Sequence, residues 1–244
     1  MKRRFRILVE YDGTDYCGWQ RQKGDRSIQA TLESALQEIN RGEPVGIIGA
    51  GRTDSGVHAF GQVAHFELDT RLLPSDIRNA LNAKTPRDIL VHDCQEVAED
   101  FHARYSARRR RYIYKVLTRR SAIGRSYSWQ LEFEPDIEVL ARCAELVLGE
   151  HDFTSLSRAS AEVDSKICLI YESRWSREED MLLYTIQGNR FLYSMVRLLV
   201  GTMMEVSRGR YSPEDFENLL GNKAVGVQLY KAPAQGLFLL NVEY

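Results

Sequence analysis

The order of strand-like and helix-like segments repeats once along the chain, and this repeat constrains the possible folds more than any other feature. Alternating apolar residues indicate strands, and apolar residues spaced at helical intervals indicate helices. In the first half these patterns predict strand 5–11, a helix capped by Ser27 that reaches Ile39, strands 45–49 and 60–68, a short helix opened by Ser75, and strand 89–97. The order is β-α-β-β-α-β.

The second half shows the same order. Its patterns predict strand 111–118, a helix over 135–148 that ends at Gly149, strands 167–175 and 181–187, a long amphipathic helix over 190–207, a short helix from Ser212-Pro213, and strand 236–244. Two such units predict an α+β fold of two ferredoxin-like halves, which form a mostly antiparallel sheet with a central active-site cleft. We place the halves at residues 1–105 and 106–244.

The composition is that of an ordinary globular protein, with 244 residues and a net charge of −1. The four cysteines are scattered, and the five histidines form no common metal-ligand motif. The basic N-terminal residues precede an apolar run of only three residues, which favours a strand over a signal peptide, and no stretch is long enough to span a membrane. We therefore expect a cytoplasmic protein without a metal ion, and the loop 51–59 described next argues against a nucleotide cofactor.

The segment 51–59, GRTDSGVHA, connects the two middle strands of the first half. Its glycines allow a sharp turn and the close approach of a ligand. Arg52 and Asp54 stand two positions apart, so the loop can hold an ionised carboxylate beside a guanidinium that binds phosphate. A polar hairpin turn would show the same residues. The spacing matches neither the dinucleotide-binding motif nor the P-loop.

A basic segment covers residues 104–120, which contain eight arginines and lysines and no acidic residue. Aromatic residues are interleaved with these charges, as is typical of surfaces that bind nucleic acid. A charged strand edge that protects against aggregation is the alternative. The candidate RNA-binding residues of this segment are Arg104, Arg108, Arg109, Arg110, Arg111 and Lys115.

Short motifs follow one another along the whole chain. They are YDGT at 11–14, GWQ at 18–20, GAGRTDSGVHA at 49–59, GQVAHF at 61–66, LNA at 81–83, FHAR at 101–104, RYIY at 111–114, HDF at 151–153, GNRFLY at 188–193, MVR at 195–197, AP at 232–233 and GL at 236–237. In this order they resemble the bacterial tRNA pseudouridine synthase A (TruA) family. Several matches in the correct order are far more specific than any one of them alone.

The resemblance implies an enzyme that isomerises uridine to pseudouridine at positions 38 to 40 of the tRNA anticodon arm, as a homodimer and without a cofactor or metal. It implies that Asp54 is catalytic, either as the nucleophile that attacks C1′ or as the base that takes a proton from C2′. Breaking the C1′–N1 bond requires stabilisation of a developing positive charge on the sugar, as in glycoside cleavage. The alternative is a catalytically weak or inactive tRNA-binding or folding protein on the same scaffold.

The same resemblance gives other residues their expected roles. Tyr112 matches a tyrosine that packs on the uracil and helps to remove the C5 proton. Arg52 is expected to hold a phosphate at the target site, or Asp54 itself. His58 is expected to pack within the loop, and Tyr114 to lie in the core of its strand.

In one segment the chain departs from the family pattern. In the family pattern, an arginine followed by a threonine precedes the segment that matches residues 170–172 of this chain. That arginine pairs with the catalytic aspartate of the family. This chain has Cys168 and Leu169 instead, and a cysteine cannot supply the charge. The candidate replacements are Lys166, Arg190 and Arg197, and the alternative is that Asp54 is held less firmly in this chain. Lys166 is the nearest in sequence and would share a strand face with Cys168.

Overall fold

The computed structural model describes residues 2–157, 165–221 and 226–244, and the chain divides into two compact units. The first unit extends to Arg108 and includes Phe238–Tyr244, whereas the second consists of Arg109–Leu237. The last strand therefore differs from the sequence-based division, which placed all of 106–244 in one half. It belongs to the first unit because Phe238 pairs with His58 in a parallel ladder, and because the Arg108 amide donates to the Glu243 carbonyl at 2.8 Å.

The first unit is a small sheet with two helices. Its elements are β1 (Lys2–Tyr11), α1 (Ile28–Ile39), β2 (Ile47–Gly49), β3 (His58–Asp69), α2 (Pro74–Lys84), β4 (Ile89–Val97) and β10 (Leu237–Glu243). The strand order is β4-β1-β3-β10, and β2 also pairs with β3. The pairings of β1 with β3 and β4 are antiparallel, and that of β10 with β3 is parallel. Alternate residues of β1 and the apolar faces of both helices are buried and form the core.

The second unit also combines a sheet with helices. Its elements are β5 (Arg109–Leu117), β6 (Trp129–Gln130), α3 (Ile137–Leu146), β7 (Gly149–Asp152), β8 (Ile167–Glu178), β9 (Met181–Gly188), α4 (Met195–Ser207) and α5 (Pro213–Leu220). The order β5-β9-β8-β7 is antiparallel throughout, and the short β6 runs parallel to β5. The described chain is thus a mixed α/β protein with mostly antiparallel strand pairs.

Most predicted elements are confirmed to within a few residues, but two short strands were missed and one helix begins later than predicted. The short strands β6 and β7 were not predicted, because two residues show no alternation and β7 (GEHD) has no apolar residue. The helix predicted from residue 190 begins only at Met195. Ser194 has a left-handed backbone (φ 59°), and Asn189 is bound to Leu169 by two hydrogen bonds, so the intervening residues form a loop.

Within the described ranges, no helix is both long and apolar enough to cross a membrane.

Candidate active site

The loop that carries Asp54 joins β2 to β3 in the first unit and is fastened to β3 at its start. The Ala50 amide donates to the Val63 carbonyl at 2.7 Å, and the Gln62 side-chain amide donates to the Gly51 carbonyl at 2.8 Å. Beyond Asp54 the chain turns back at once, because the Val57 amide donates to the Asp54 carbonyl at 3.2 Å. Asp54 is half-buried and Arg52 is exposed, so the turn offers a carboxylate and a cation at the surface of the unit.

A second segment, residues 11–19, forms hydrogen bonds to this loop on both sides of Asp54, and we call this segment the clamp. The hydroxyls of Tyr11 and Thr53 share a buried hydrogen bond of 2.8 Å, and the Trp19 amide donates to the Thr53 carbonyl at 3.2 Å. On the far side of Asp54, the Ser55 hydroxyl and the Gly56 amide both donate to the Tyr16 carbonyl, at 3.2 and 3.3 Å. Both neighbours of Asp54 are therefore held by the clamp, which restricts where its carboxylate can point.

Two glycines allow the clamp to lie this close to the loop. A methyl group on Gly13 would stand 2.7 Å from the Val57 carbonyl carbon. Gly18 has a left-handed backbone (φ +98°), and a methyl group there would stand 2.9 Å from the Asp54 carbonyl carbon and closer still to the Thr53 carbonyl oxygen. Only glycine fits both constraints at Gly18. In the sequence analysis these two glycines appear only as members of the motifs YDGT and GWQ, without an assigned role. The only sequence feature that could have indicated the contact between residues 11–19 and the Asp54 loop is that all three motifs occur together.

His58 lies at the end of the loop and is buried. Its Nδ1 accepts the Gly13 amide at 3.1 Å, and its ring stacks on Phe238 with centroids 4.7 Å apart. These contacts agree with the expected packing role, since they fix the loop end and tie β10 to β3.

For the tRNA-modifying activity that the sequence resemblance implies, we expect Thr53→Val and Tyr11→Phe each to lower turnover more than tRNA affinity. Each change removes the buried hydrogen bond between the two hydroxyls, which costs about 0.5–1.5 kcal/mol of unfolding free energy. Urea unfolding and single-turnover rates measure the two effects. The double variant should lose less than the sum of the single losses, because both remove the same bond.

Tyr16→Phe is the matched control for the clamp. Its hydroxyl donates to Asp88 at 2.7 Å, away from the loop, while its main chain still holds Ser55 and Gly56. Strictly additive losses at Tyr11 and Thr53, or an equal loss of turnover in Tyr16→Phe, would contradict the clamp.

Tyr112 lies in the second unit, on β5 opposite Ile186. Its side chain is 7% exposed, and its ring meets Phe191 edge to face at a centroid distance of 5.1 Å. Tyr114 points to the same face of the strand but is fully buried, and its hydroxyl donates to the Pro233 carbonyl at 2.7 Å. Burial holds the pKa of Tyr114 well above its usual value. The expectation that Tyr114 is a core residue is confirmed.

The run of arginines at 108–111 does not face one way, because side chains alternate along a strand. Arg110 is 8% exposed and donates to the Asn189 carbonyl at 2.7 Å. Arg111 pairs with Glu172 at 2.9 Å, and the Arg109 guanidinium lies 4.6 Å from the centre of the Tyr171 ring. Arg108 and Arg109 are the exposed members of the run.

The two other members of the candidate RNA-binding set lie outside that run. Arg104 belongs to the first unit, and its guanidinium carbon lies 5.7 Å from the centre of the Tyr105 ring. Lys115 lies on β5 in the second unit and is half-buried, and this burial lowers the pKa of its ammonium group.

The three residues predicted as possible partners for Asp54 lie in the second unit. Cys168 is buried on β8, where burial raises the pKa of its thiol and the Arg190 guanidinium partly opposes this rise. Arg190 donates to the Ser165 carbonyl. Lys166 precedes β8, which begins at Ile167, so the regular alternation that would align it with Cys168 does not reach it. Arg197 is buried near the start of α4, and its Nε donates to the Ala232 carbonyl at 2.8 Å.

The described part of the chain holds no cluster of three histidine, cysteine or acidic side chains placed as metal ligands.

Comparison with known proteins defines the class to which this fold and loop belong. A family model described as tRNA pseudouridine synthase matches residues 7–106 and 143–244. The chain therefore belongs to the tRNA pseudouridine synthase family.

Particular relatives are similar over almost their whole length. A protein named tRNA pseudouridine synthase A from Exiguobacterium sp. strain AT1b is 40% identical over 242 residues, which cover 99% of this chain and 98% of that protein. Proteins of the same name from Geobacillus sp. strain WCH70 and Halalkalibacterium halodurans are 38% and 40% identical, over 100% and 96% of this chain and 99% and 90% of their own lengths.

Proposed function

We propose that this chain isomerises uridine to pseudouridine at positions 38 to 40 of the tRNA anticodon arm. The observation that carries the proposal is the family match over most of the chain, which includes the loop that holds Asp54 in a fixed turn. Because tRNA is the substrate, we also propose a cytoplasmic location. The ferredoxin-like topology of each half and the central cleft stay predictions.

Asp54 is the catalytic carboxylate of this proposal. In one route its oxygen attacks C1′, the C1′–N1 bond breaks, and the bonding electrons leave with the uracil. The uracil then turns, C5 attacks C1′ and displaces the carboxylate, C5 loses its proton, and N1 gains one. In the other route Asp54 removes the C2′ proton while the C1′–N1 bond breaks, so that a glycal forms and the uracil leaves with the bonding electrons. The uracil then turns, C5 bonds to C1′ while Asp54 returns its proton to C2′, C5 loses its proton, and N1 gains one. Atoms balance in both routes, and water is excluded because it would capture the intermediate.

The remaining roles follow from the same proposal. Tyr112 packs against the uracil and helps to remove the C5 proton, and Arg52 binds a phosphate beside the target nucleotide. The candidates for a cation that compensates for the missing family arginine are Lys166, Arg190 and Arg197, and the alternative is that Asp54 is held less firmly. No cofactor takes part. The active form is a homodimer, and sedimentation of the active protein as a monomer would refute that part of the proposal.

Turnover separates an isomerase from a tRNA-binding protein on the same scaffold. Purified protein is incubated with an unmodified tRNA transcript, EDTA and no nucleotide, and pseudouridine is measured by mass spectrometry of the digested RNA. The proposal predicts many product molecules per enzyme. Tight binding of the transcript with no product would favour the inactive binding protein instead.

The exposed arginines Arg108 and Arg109 are predicted to contact tRNA phosphates. The double change of both to glutamine should weaken binding to every tRNA alike and reduce the slope of log affinity against log salt by about 1.5, because each contact releases a condensed counterion. Titrations at several salt concentrations measure the slope.

Two single variants accompany this test. Arg142→Gln, at an exposed position on α3, should leave the slope unchanged. Arg110→Gln should lower protein stability, because Arg110 is buried and bound to Asn189. An unaltered slope in the Arg108 and Arg109 double variant would mean that these two arginines do not contact RNA.

A further inference from the structure

Tyr105 is a large aromatic side chain that the fold leaves at the surface of the first unit. Its side chain is 77% exposed, whereas the site residue Tyr112 and the core residue Tyr114 are buried. Burying an aromatic ring is strongly favourable, so a tyrosine held this far out of the core calls for a reason. Single exposed apolar residues are common, and exposure alone therefore carries no conclusion.

The segment that presents Tyr105 is closed by hydrogen bonds between residues 102 and 106. The Ser106 amide donates to the His102 carbonyl at 2.9 Å, and the His102 amide donates to the Ser106 hydroxyl at 3.0 Å. Inside this closed turn, the His102 Nδ1 accepts the amides of Arg104 and Tyr105, both at 3.2 Å. The backbone polar groups around the tyrosine are therefore already hydrogen-bonded within the protein. Binding of a ligand to the ring would need little further ordering of this segment, so the entropic cost of binding would be small.

A series of rings supports Tyr105 from the core outward. Its own ring centre lies 4.4 Å from that of His102, and the His102 ring lies 4.7 Å from that of His65. His65 is buried, accepts the Ala103 amide at 3.1 Å, and has its pKa lowered to about 4, chiefly by burial. Burial also lowers the pKa of His102. The backing rings are thus neutral at physiological pH and fixed in place.

One arginine side chain lies beside this ring, and a second arginine follows three residues later in the sequence. The Arg104 guanidinium lies 5.7 Å from the ring centre, Arg108 is exposed close by in sequence, and no acidic residue occurs from 104 to 120. An aromatic ring beside cations is complementary to a nucleotide, because the ring can stack on the flat base and the cations can bind the phosphate. Proteins that bind single-stranded or looped RNA use this combination, since stacking accepts any base and the cations hold the backbone.

We propose that Tyr105 is a stacking platform for an unpaired base of the bound tRNA, with Arg104 and Arg108 holding the adjacent phosphates. The proposal rests on the proposed function, because it takes the partner to be tRNA. It adds a base contact in the first unit that is separate from the loop carrying Asp54.

Four substitutions of Tyr105 distinguish the stacking of a ring from simple apolar bulk. Tyr105→Phe and Tyr105→Trp keep a flat ring, Tyr105→Leu keeps apolar bulk without a ring, and Tyr105→Ala removes both. Loss of one stacked base should raise the Kd for an unmodified tRNA transcript by about 5-fold to 100-fold in the alanine and leucine variants. The phenylalanine and tryptophan variants should bind like the wild type. Thermal unfolding should be the same for all four, because the side chain is exposed.

The outcomes are distinguishable. A leucine variant that binds like the wild type would overturn the proposal, because bulk alone would then suffice. An alanine variant with unchanged Kd would also overturn it, while a wild-type protein that still makes pseudouridine would leave the proposed function intact. A wild type that neither binds nor modifies tRNA would overturn both. The salt slope gives a further check: Tyr105→Ala should keep the wild-type slope, and Arg108→Gln should reduce it.

Discussion

Asp54→Asn is expected to abolish pseudouridine formation while the affinity for tRNA stays close to that of the wild type. The amide is nearly the same size as the carboxylate, so the turn closed by Val57 should survive. It can neither attack C1′ nor accept the C2′ proton, so both routes are lost together. Removing a central catalytic group lowers turnover by at least about 10⁴-fold in well-studied enzymes, and we expect a loss of this size.

Asp25→Asn is the matched control, since it makes the same chemical change at an exposed position of the first unit. Single-turnover formation of pseudouridine and the Kd for the transcript are measured for both variants. Asp25→Asn should behave like the wild type in both assays. Product at the wild-type rate in Asp54→Asn would remove Asp54 from the mechanism.

Gly18→Ala is expected to have the second largest effect, on both stability and turnover. The methyl group would meet the Thr53 carbonyl oxygen and the Asp54 carbonyl carbon, and an alanine is strained at φ +98°. The loop must then move, and a displacement of about 1 Å at a catalytic group costs about 10²-fold in rate. We expect a comparable fall in turnover and a loss of about 2–4 kcal/mol in unfolding free energy.

Gly24→Ala separates backbone strain from the clash. Gly24 has a similar conformation (φ +88°), but a methyl group there meets nothing within 4 Å. This variant should lose about 1 kcal/mol of unfolding free energy and keep its turnover. Urea unfolding and single-turnover rates decide between the two causes. Equal losses of stability and turnover in Gly18→Ala and Gly24→Ala would mean that the close contact of residue 18 with the Asp54 loop is not important for turnover.

The sequence was informative where a single period runs through a whole element. The apolar face of α1 and its Ser27 cap gave the helix its correct ends, and the strand predicted over residues 89–97 coincides with β4. Periodicity failed where an element is short or where its end depends on a distant contact. The start of α4 depends on the left-handed backbone of Ser194 and on the hydrogen bonds between Asn189 and Leu169. Neither feature can be recognised from the hydrophobic pattern of residues 190–207.

The candidate site shows the same division. The glycines and charged residues of 51–59 predicted a tight loop that carries a carboxylate. That Tyr11, Tyr16 and Trp19 hold this loop is a property of pairing between segments about 35 to 40 residues apart, and such non-local contacts are not encoded in either segment alone. The arginine run showed its charge in the sequence, but only the register of β5 showed that Arg110 is buried while Arg109 is exposed.

Position-resolved mapping of the product tests the central claim most directly. A tRNA transcript with uridine at positions 38, 39 and 40 is incubated with the wild type or with Asp54→Asn, and pseudouridine is located by carbodiimide modification and primer extension. Our account predicts pseudouridine at one or more of these positions with the wild type and at none with Asp54→Asn. Wild-type protein that leaves all three uridines unchanged, or Asp54→Asn protein that converts them, would contradict it.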